Sequence, residues 1–81
     1  MKTDQNTVLT SYSAHLSLNI KRLRLLKGVA QERLALDCSI DRTLVSKIER
    51  GLGNPTLGVL CKISCALGVS VCDLLCPALE D

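Results

Sequence analysis

A chain of 81 residues makes one small domain and leaves no room for a second. With 47% hydrophobic and 22% charged residues, it is not an intrinsically disordered chain. The net charge of +2 hides an uneven distribution: residues 21–50 stand at +4 and residues 51–81 at −2, so the basic middle suits either a polyanion such as nucleic acid or plain solvation.

Residues 1–12 are polar and without period, and are expected to form a flexible N-terminal segment. A helix is predicted from about Ser13 to Lys27, where Leu16, Ile20, Leu23 and Leu26 recur at helical spacing. Ser11 or Ser13 would cap it and Gly28 would stop it. Gln31 to Cys38 places Leu34, Ala35 and Cys38 on one face of a short second helix, and Ser39-Ile40-Asp41 reads as a tight turn. Asp41 would cap a third helix, Arg42 to Arg50, with Val45 and Ile48 inward and Gly51 as its stop. Leu52 to Pro55 is a loop. Thr56 would cap a fourth helix in which Leu57, Leu60, Cys61, Ile63 and Leu67 are apolar, ended by Gly68. Ser70 would cap a short fifth helix containing Val71, Leu74 and Leu75, ended by Pro77. The stretch from Leu57 to Leu79 contains only Lys62 and Asp73 as charges. A membrane-spanning helix would bury both at roughly 2.5–3.5 kcal/mol each, so two buried helices in a soluble, cytoplasmic protein are expected. The fold class is therefore all-α, with a domain over residues 13–77 and a tail over 78–81. The mean hydropathy of +0.26 leaves apolar surface that favours a homodimer, and Val71, Leu74, Leu75, Pro77 and Leu79 are the candidate face.

Two short helices joined by a three-residue turn have helix-turn-helix geometry, here over about residues 31–50. At about 100° per residue, Arg42, Thr43, Ser46, Lys47 and Arg50 share one arc of the third helix, with Val45 and Ile48 opposite. Such a helix can lie in a major groove while bolted to a core. Arg bonds guanine O6 and N7 bidentately, Lys does so more loosely, and Ser or Thr reaches bases or phosphates. Leu44, at the border, either extends the core or touches a thymine methyl.

Ala30-Gln-Glu-Arg-Leu-Ala35, then Ile40-Asp-Arg-Thr-Leu-Val-Ser-Lys-Ile-Glu-Arg-Gly51, Asn54-Pro55-Thr56-Leu57 and Leu67-Gly-Val-Ser70, together resemble the xenobiotic-response-element family of helix-turn-helix regulators, which includes the Cro proteins and phage repressors. The segment Asp41–Gly51 also resembles the recognition helix of controller proteins of restriction–modification systems. The resemblance implies a compact five-helix bundle of the lambda-repressor-like type, acting as a dimeric transcriptional regulator on a pseudo-palindromic operator. It implies base reading by Arg42, Thr43, Ser46 and Lys47, although Ser46 matches a position that is often merely small. It implies phosphate contacts from Gln31 and Arg24, and a structural pair of Arg24 with Glu49. Asn54 matches a loop that approaches phosphates, or is only a turn former before Pro55. Relatives usually have Ser or Thr at the position of Ala30 and Gly at that of Ser39; each departure costs about 1 kcal/mol of stability.

Five cysteines remain outside this reading. Cys61 and Cys65, like Cys72 and Cys76, are spaced to share a helix face, but three intervening residues do not match the usual zinc spacing. Cys38 and Cys61 fall at apolar core positions, and the resemblance implies that the others lie nearer the surface. Inert thiols are the simplest reading, and redox or metal response on the same fold is an alternative. His15 is the only histidine, and no catalytic constellation surrounds it. Neither an enzyme nor a cofactor is expected. A protein-interaction module, such as an antitoxin or adaptor, is the other alternative, against which the basic face of the third helix argues.

Overall fold

The computed structural model describes residues 4–77. Five helices follow in order: α1 (Gln5–Leu26), α2 (Gln31–Cys38), α3 (Arg42–Glu49), α4 (Leu57–Leu67) and α5 (Val71–Leu75). No strand occurs among the described residues.

Helix α1 starts about two turns before the predicted Ser13. The cap is Asp4, whose carboxylate accepts from the Asn6 N–H and the Thr7 hydroxyl. The turns this adds are largely exposed, with Leu9 and Tyr12 near half accessibility, which is why no buried periodicity marked them. The predicted tail, residues 78–81, lies outside the described residues.

The other helix starts follow local side-chain chemistry. The Thr43 N–H donates to Asp41 at 3.2 Å, and the Val59 N–H donates to Thr56 at 3.2 Å. Ser70 and Asp73 form a reciprocal capping box at 3.0 Å in each direction. Only α2 starts without a side-chain acceptor, because Ala30 stands at its N-cap in an extended conformation (φ −74°, ψ 158°). Ala30→Ser should therefore supply the missing acceptor and add about 1 kcal/mol. Thermal unfolding followed by circular dichroism should show the midpoint rising by roughly 4–8 °C; an unchanged midpoint would mean that the α2 end is already satisfied by other groups. The turn after α2 is carried by Ser39 in the left-handed region (φ 55°, ψ 42°). Gly53 has a different reason to be glycine: a Cβ there would fall 3.0 Å from Ile48 Cγ1, so the loop could not cross α3 so closely.

One core joins all five helices: Leu16 and Ile20 from α1, Leu34, Ala35 and Cys38 from α2, Val45 and Ile48 from α3, Leu60, Ile63 and Leu67 from α4, and Leu74 from α5. Each buried Leu, Ile or Val stabilises by about 1.5–3 kcal/mol, and Val45 and Ile48 seat α3 on the core. Leu44 is half-buried against this core. Two expectations are corrected. Cys61 is exposed, because the inward stripe of α4 is Leu60, Ile63, Ser64 and Leu67. Ser64 occupies that stripe with its hydroxyl donated to the Cys61 carbonyl at 2.9 Å. Leu74 is fully enclosed and so cannot belong to a dimer face; Val71 and Leu75 are half-buried against the core, and Leu79 lies outside the described residues.

Polar ties lock the long α1 to the rest. Asn19, buried among apolar neighbours, donates to the Leu74 carbonyl at 2.9 Å and the Cys76 carbonyl at 2.6 Å, pinning the end of α5. The Ser17 hydroxyl donates to the Glu49 carbonyl at the end of α3, and Lys27 donates to the Ala66 carbonyl near the end of α4. Among the described residues no helix is long and apolar enough to cross a membrane.

Candidate nucleic-acid interface

The outer face of α3 is built by what its inner face must bury. With Val45 and Ile48 in the core, Arg42, Thr43 and Lys47 are left exposed and Ser46 half-buried. Arg50, at the C-cap, bends back so that its Nε donates to the Ser46 carbonyl at 3.3 Å. A helix with its side chains is about 10–12 Å across, which a groove about 12 Å wide admits.

Glu49 is the only carboxylate within α3, and it is turned into the protein. Arg24 donates to it through Nε at 2.6 Å and Nη2 at 2.9 Å, a bidentate fork, while Nη1 donates to the Val29 carbonyl at 2.8 Å. Gln31 Nε2 adds a further bond to Glu49 Oε1 at 3.1 Å. The side chains of Arg24 and Glu49 are 10% and 3% exposed. Burial alone would raise the Glu49 pKa, but the bonds from Arg24 and Gln31 outweigh it and hold the carboxyl below its ordinary value. Two consequences follow. The start of α2 and the end of α3 are bolted to α1 through one network. The only negative charge of α3 is also neutralised on the inside, which leaves the outward face cationic.

The structure thus brings together Arg24, Gln31 and Glu49, and separately aligns Arg42, Thr43, Ser46 and Lys47 along one helix. Arg24 is largely spent within the protein, so little of it remains for a phosphate. Asn54 is exposed and stands apart from both groups, in a loop beside Leu9, Tyr12 and Ser13 of α1. Sequence reasoning missed Ser17 and Asn19, which position the ends of α3 and α5. Nothing local marks them, since their partners lie 32 to 57 residues away along the chain.

A shallow apolar groove runs between the first turns of α1 and the end of α5, lined by Val8, Tyr12, His15, Leu75, Cys76 and Pro77 among others. His15 lies 3.4 Å from the Ser11 hydroxyl and edge-on to Tyr12. Among the described residues no cluster of histidine, cysteine or carboxylate side chains could hold a metal ion.

Comparison with known proteins agrees with this geometry. The helix-turn-helix family profile matches residues 20–74, which takes in all of α2 to α4 and most of α5. The chain is 43% identical over 67 residues to a hypothetical transcription factor of Neisseria meningitidis serogroup B, covering 83% of this chain but 63% of that relative. It is 47% identical over 57 residues to the control protein C.BamHI of Bacillus amyloliquefaciens, covering 69% of this chain and 70% of that one. Among solved structures, the hypothetical transcription factor NHTF from Neisseria superposes with a TM-score of 0.78 at 42% identity, over 82% of this chain and 76% of that one. The restriction-modification controller protein C.AhdI of Aeromonas hydrophila gives 0.73 at 32% identity, over 76% of this chain and 94% of that one. With the profile matching residues 20–74 and a relative 47% identical over 57 residues, the chain belongs to the helix-turn-helix family.

Proposed function

We infer that the chain is a DNA-binding transcriptional regulator that reads a pseudo-palindromic operator as a homodimer in the cytoplasm. The carrying observation is α3: it is held by Val45 and Ile48, its only carboxylate is neutralised inward by Arg24, and it offers Arg42, Thr43, Ser46 and Lys47 outward. In the major groove these four side chains would read base edges. Gln31 at the start of α2 and Asn54 in the loop before α4 would take phosphates, with Arg24 acting mainly by steadying Gln31 through Glu49. A helix this short buries too little to bind tightly alone, so two copies related by a twofold axis are required. The apolar groove between α1 and α5, with exposed Val8, Leu9 and Tyr12 nearby, is the surface for the second copy. Likeness to the control proteins C.BamHI and C.AhdI supports a restriction–modification operon as the setting.

Selection of bound duplexes from a random DNA pool tests the reading. Recovered sites should be inverted repeats whose halves lie about one helical turn apart, roughly 34 Å. Their affinity should fall steeply with salt. A pool with no enriched sequence, or binding indifferent to salt, would overturn it.

A further inference from the structure

Three of the five thiols line one depression that the DNA-binding reading does not use. Cys38, Cys61 and Cys65 line a depression between the end of α2 and the outer side of α4, with Asp37, Ser39 and Lys62. Cys61 and Cys65 are exposed, whereas Cys38 is buried at its inner wall. The Cys38 thiol donates to the Lys62 carbonyl at 3.6 Å. Lys62 lies between Cys61 and Cys65 on α4, and of these two thiols only Cys65 is close enough to act on the Cys38 thiol electrostatically.

The two pairings within one helical turn are worse placed. Cys61 and Cys65 are one helical turn apart, with Cβ atoms about 5–6 Å from one another, whereas a disulfide needs about 3.5–4.5 Å. Cys72 and Cys76 have the same spacing, fixed by the bond from the Cys76 N–H to the Cys72 carbonyl at 3.1 Å.

We propose that Cys65 and Cys38 form a peroxide-reactive thiol pair that closes to an intramolecular disulfide between α4 and α2. The exposed Cys65 thiolate attacks a hydroperoxide, the O–O bond breaks, and an alcohol or water leaves, giving a sulfenic acid on Cys65. The Cys38 thiolate then attacks the Cys65 sulfur; the S–S bond forms, the S–O bond breaks, and hydroxide leaves as water with the Cys38 proton. Two thiols are oxidised by two electrons and the hydroperoxide is reduced. Burial, reinforced by Asp37, pushes the Cys38 pKa up, which fits a thiol that responds second and makes closure faster as pH rises. Cys38 directly precedes Ser39, whose left-handed conformation aims α3. On the function inferred above, the pair is thus a redox input to that helix.

The test uses the reduced full-length chain with stoichiometric hydrogen peroxide, then alkylation, intact mass and peptide mapping. A mass loss of two hydrogens, a Cys38–Cys65 cross-linked peptide and reversal by dithiothreitol are expected. Cys65→Ser should abolish the cross-link and Cys61→Ser should keep it. A disulfide confined to other pairs or between protomers overturns the site, as does sulfinic acid on Cys65 with Cys38 still open to alkylation. The redox input fails separately if oxidised and reduced protein bind a pool-selected duplex equally; the cross-link needs no DNA, so the two failures are distinguishable.

Discussion

Replacing Glu49 with Gln should cost about 3 kcal/mol. The reason is the charge left behind. Arg24 is enclosed, and its Nε and Nη2 both end on the Glu49 carboxylate. A neutral amide matches neither the charge nor the all-acceptor chemistry of that partner, and an uncompensated buried charge costs about 3–5 kcal/mol. The lower end applies because Nη1 keeps its bond to the Val29 carbonyl. In a domain whose total stability is of the order of 5–15 kcal/mol, thermal unfolding should move down by roughly 12–24 °C. Replacing Arg24 with Met and Glu49 with Leu together should cost far less, because an apolar pair of similar volume leaves no charge unpaired. A double variant as unstable as Glu49→Gln would show that the bonds made by the pair itself, not an unpaired charge left behind, set the loss.

The same network fixes a pH dependence. The Glu49 carboxyl sits below its ordinary value in the folded chain, so the unfolded chain binds its proton first as pH falls. Its contribution is therefore fully present above the ordinary glutamate value of about 4.3 and is lost as pH drops below that toward the folded value. Urea midpoints measured from neutral to acid pH should fall more steeply for the wild type than for Glu49→Gln across that window. Parallel curves would show that Glu49 titrates alike in both states.

How far the sequence speaks depends on the range of the interaction. Asp41, Thr56 and Ser70 are legible as caps because a cap is decided within three residues, and Leu34, Ala35, Cys38, Val45 and Ile48 are legible as inward because helix periodicity alone decides them. The outer face of α3 is legible for the same reason. The start of α1 is not: its first turns bury little, and only Asp4 marks them. Ser64 in an apolar stripe is not legible either, since its hydroxyl is satisfied by its own helix; this displaced Cys61 in the expectation. Leu74 looked like spare apolar surface because α5 is too short to show a period, yet α1 closes over it with Asn19 as the clasp. The bond from Gln31 to Glu49 depends on a rotamer chosen by the assembled bundle, which no local pattern encodes.

Replacing Arg42 with Ala should lower operator affinity by about 1–3 kcal/mol per half-site, roughly five- to 150-fold, and relax base choice at a single position in each half. Arg42 is the first residue of α3 and exposed, and the N-terminal residues of a groove-inserted helix are those that reach base edges. Stability should not fall with affinity. A cation in the first turn opposes the helix dipole, so its removal should leave the melting midpoint unchanged or slightly raised. This separates lost recognition from lost folding. Arg42→Lys sharpens the test: it keeps the charge but not the planar fork, so the salt dependence should persist while discrimination at that base pair weakens. Gln31→Ala should act differently, weakening binding alike on all sequences, since a phosphate contact carries no base information. If Arg42→Ala weakened matched and mismatched duplexes equally, Arg42 would be a backbone contact, and base reading would have to rest on Thr43, Ser46 and Lys47.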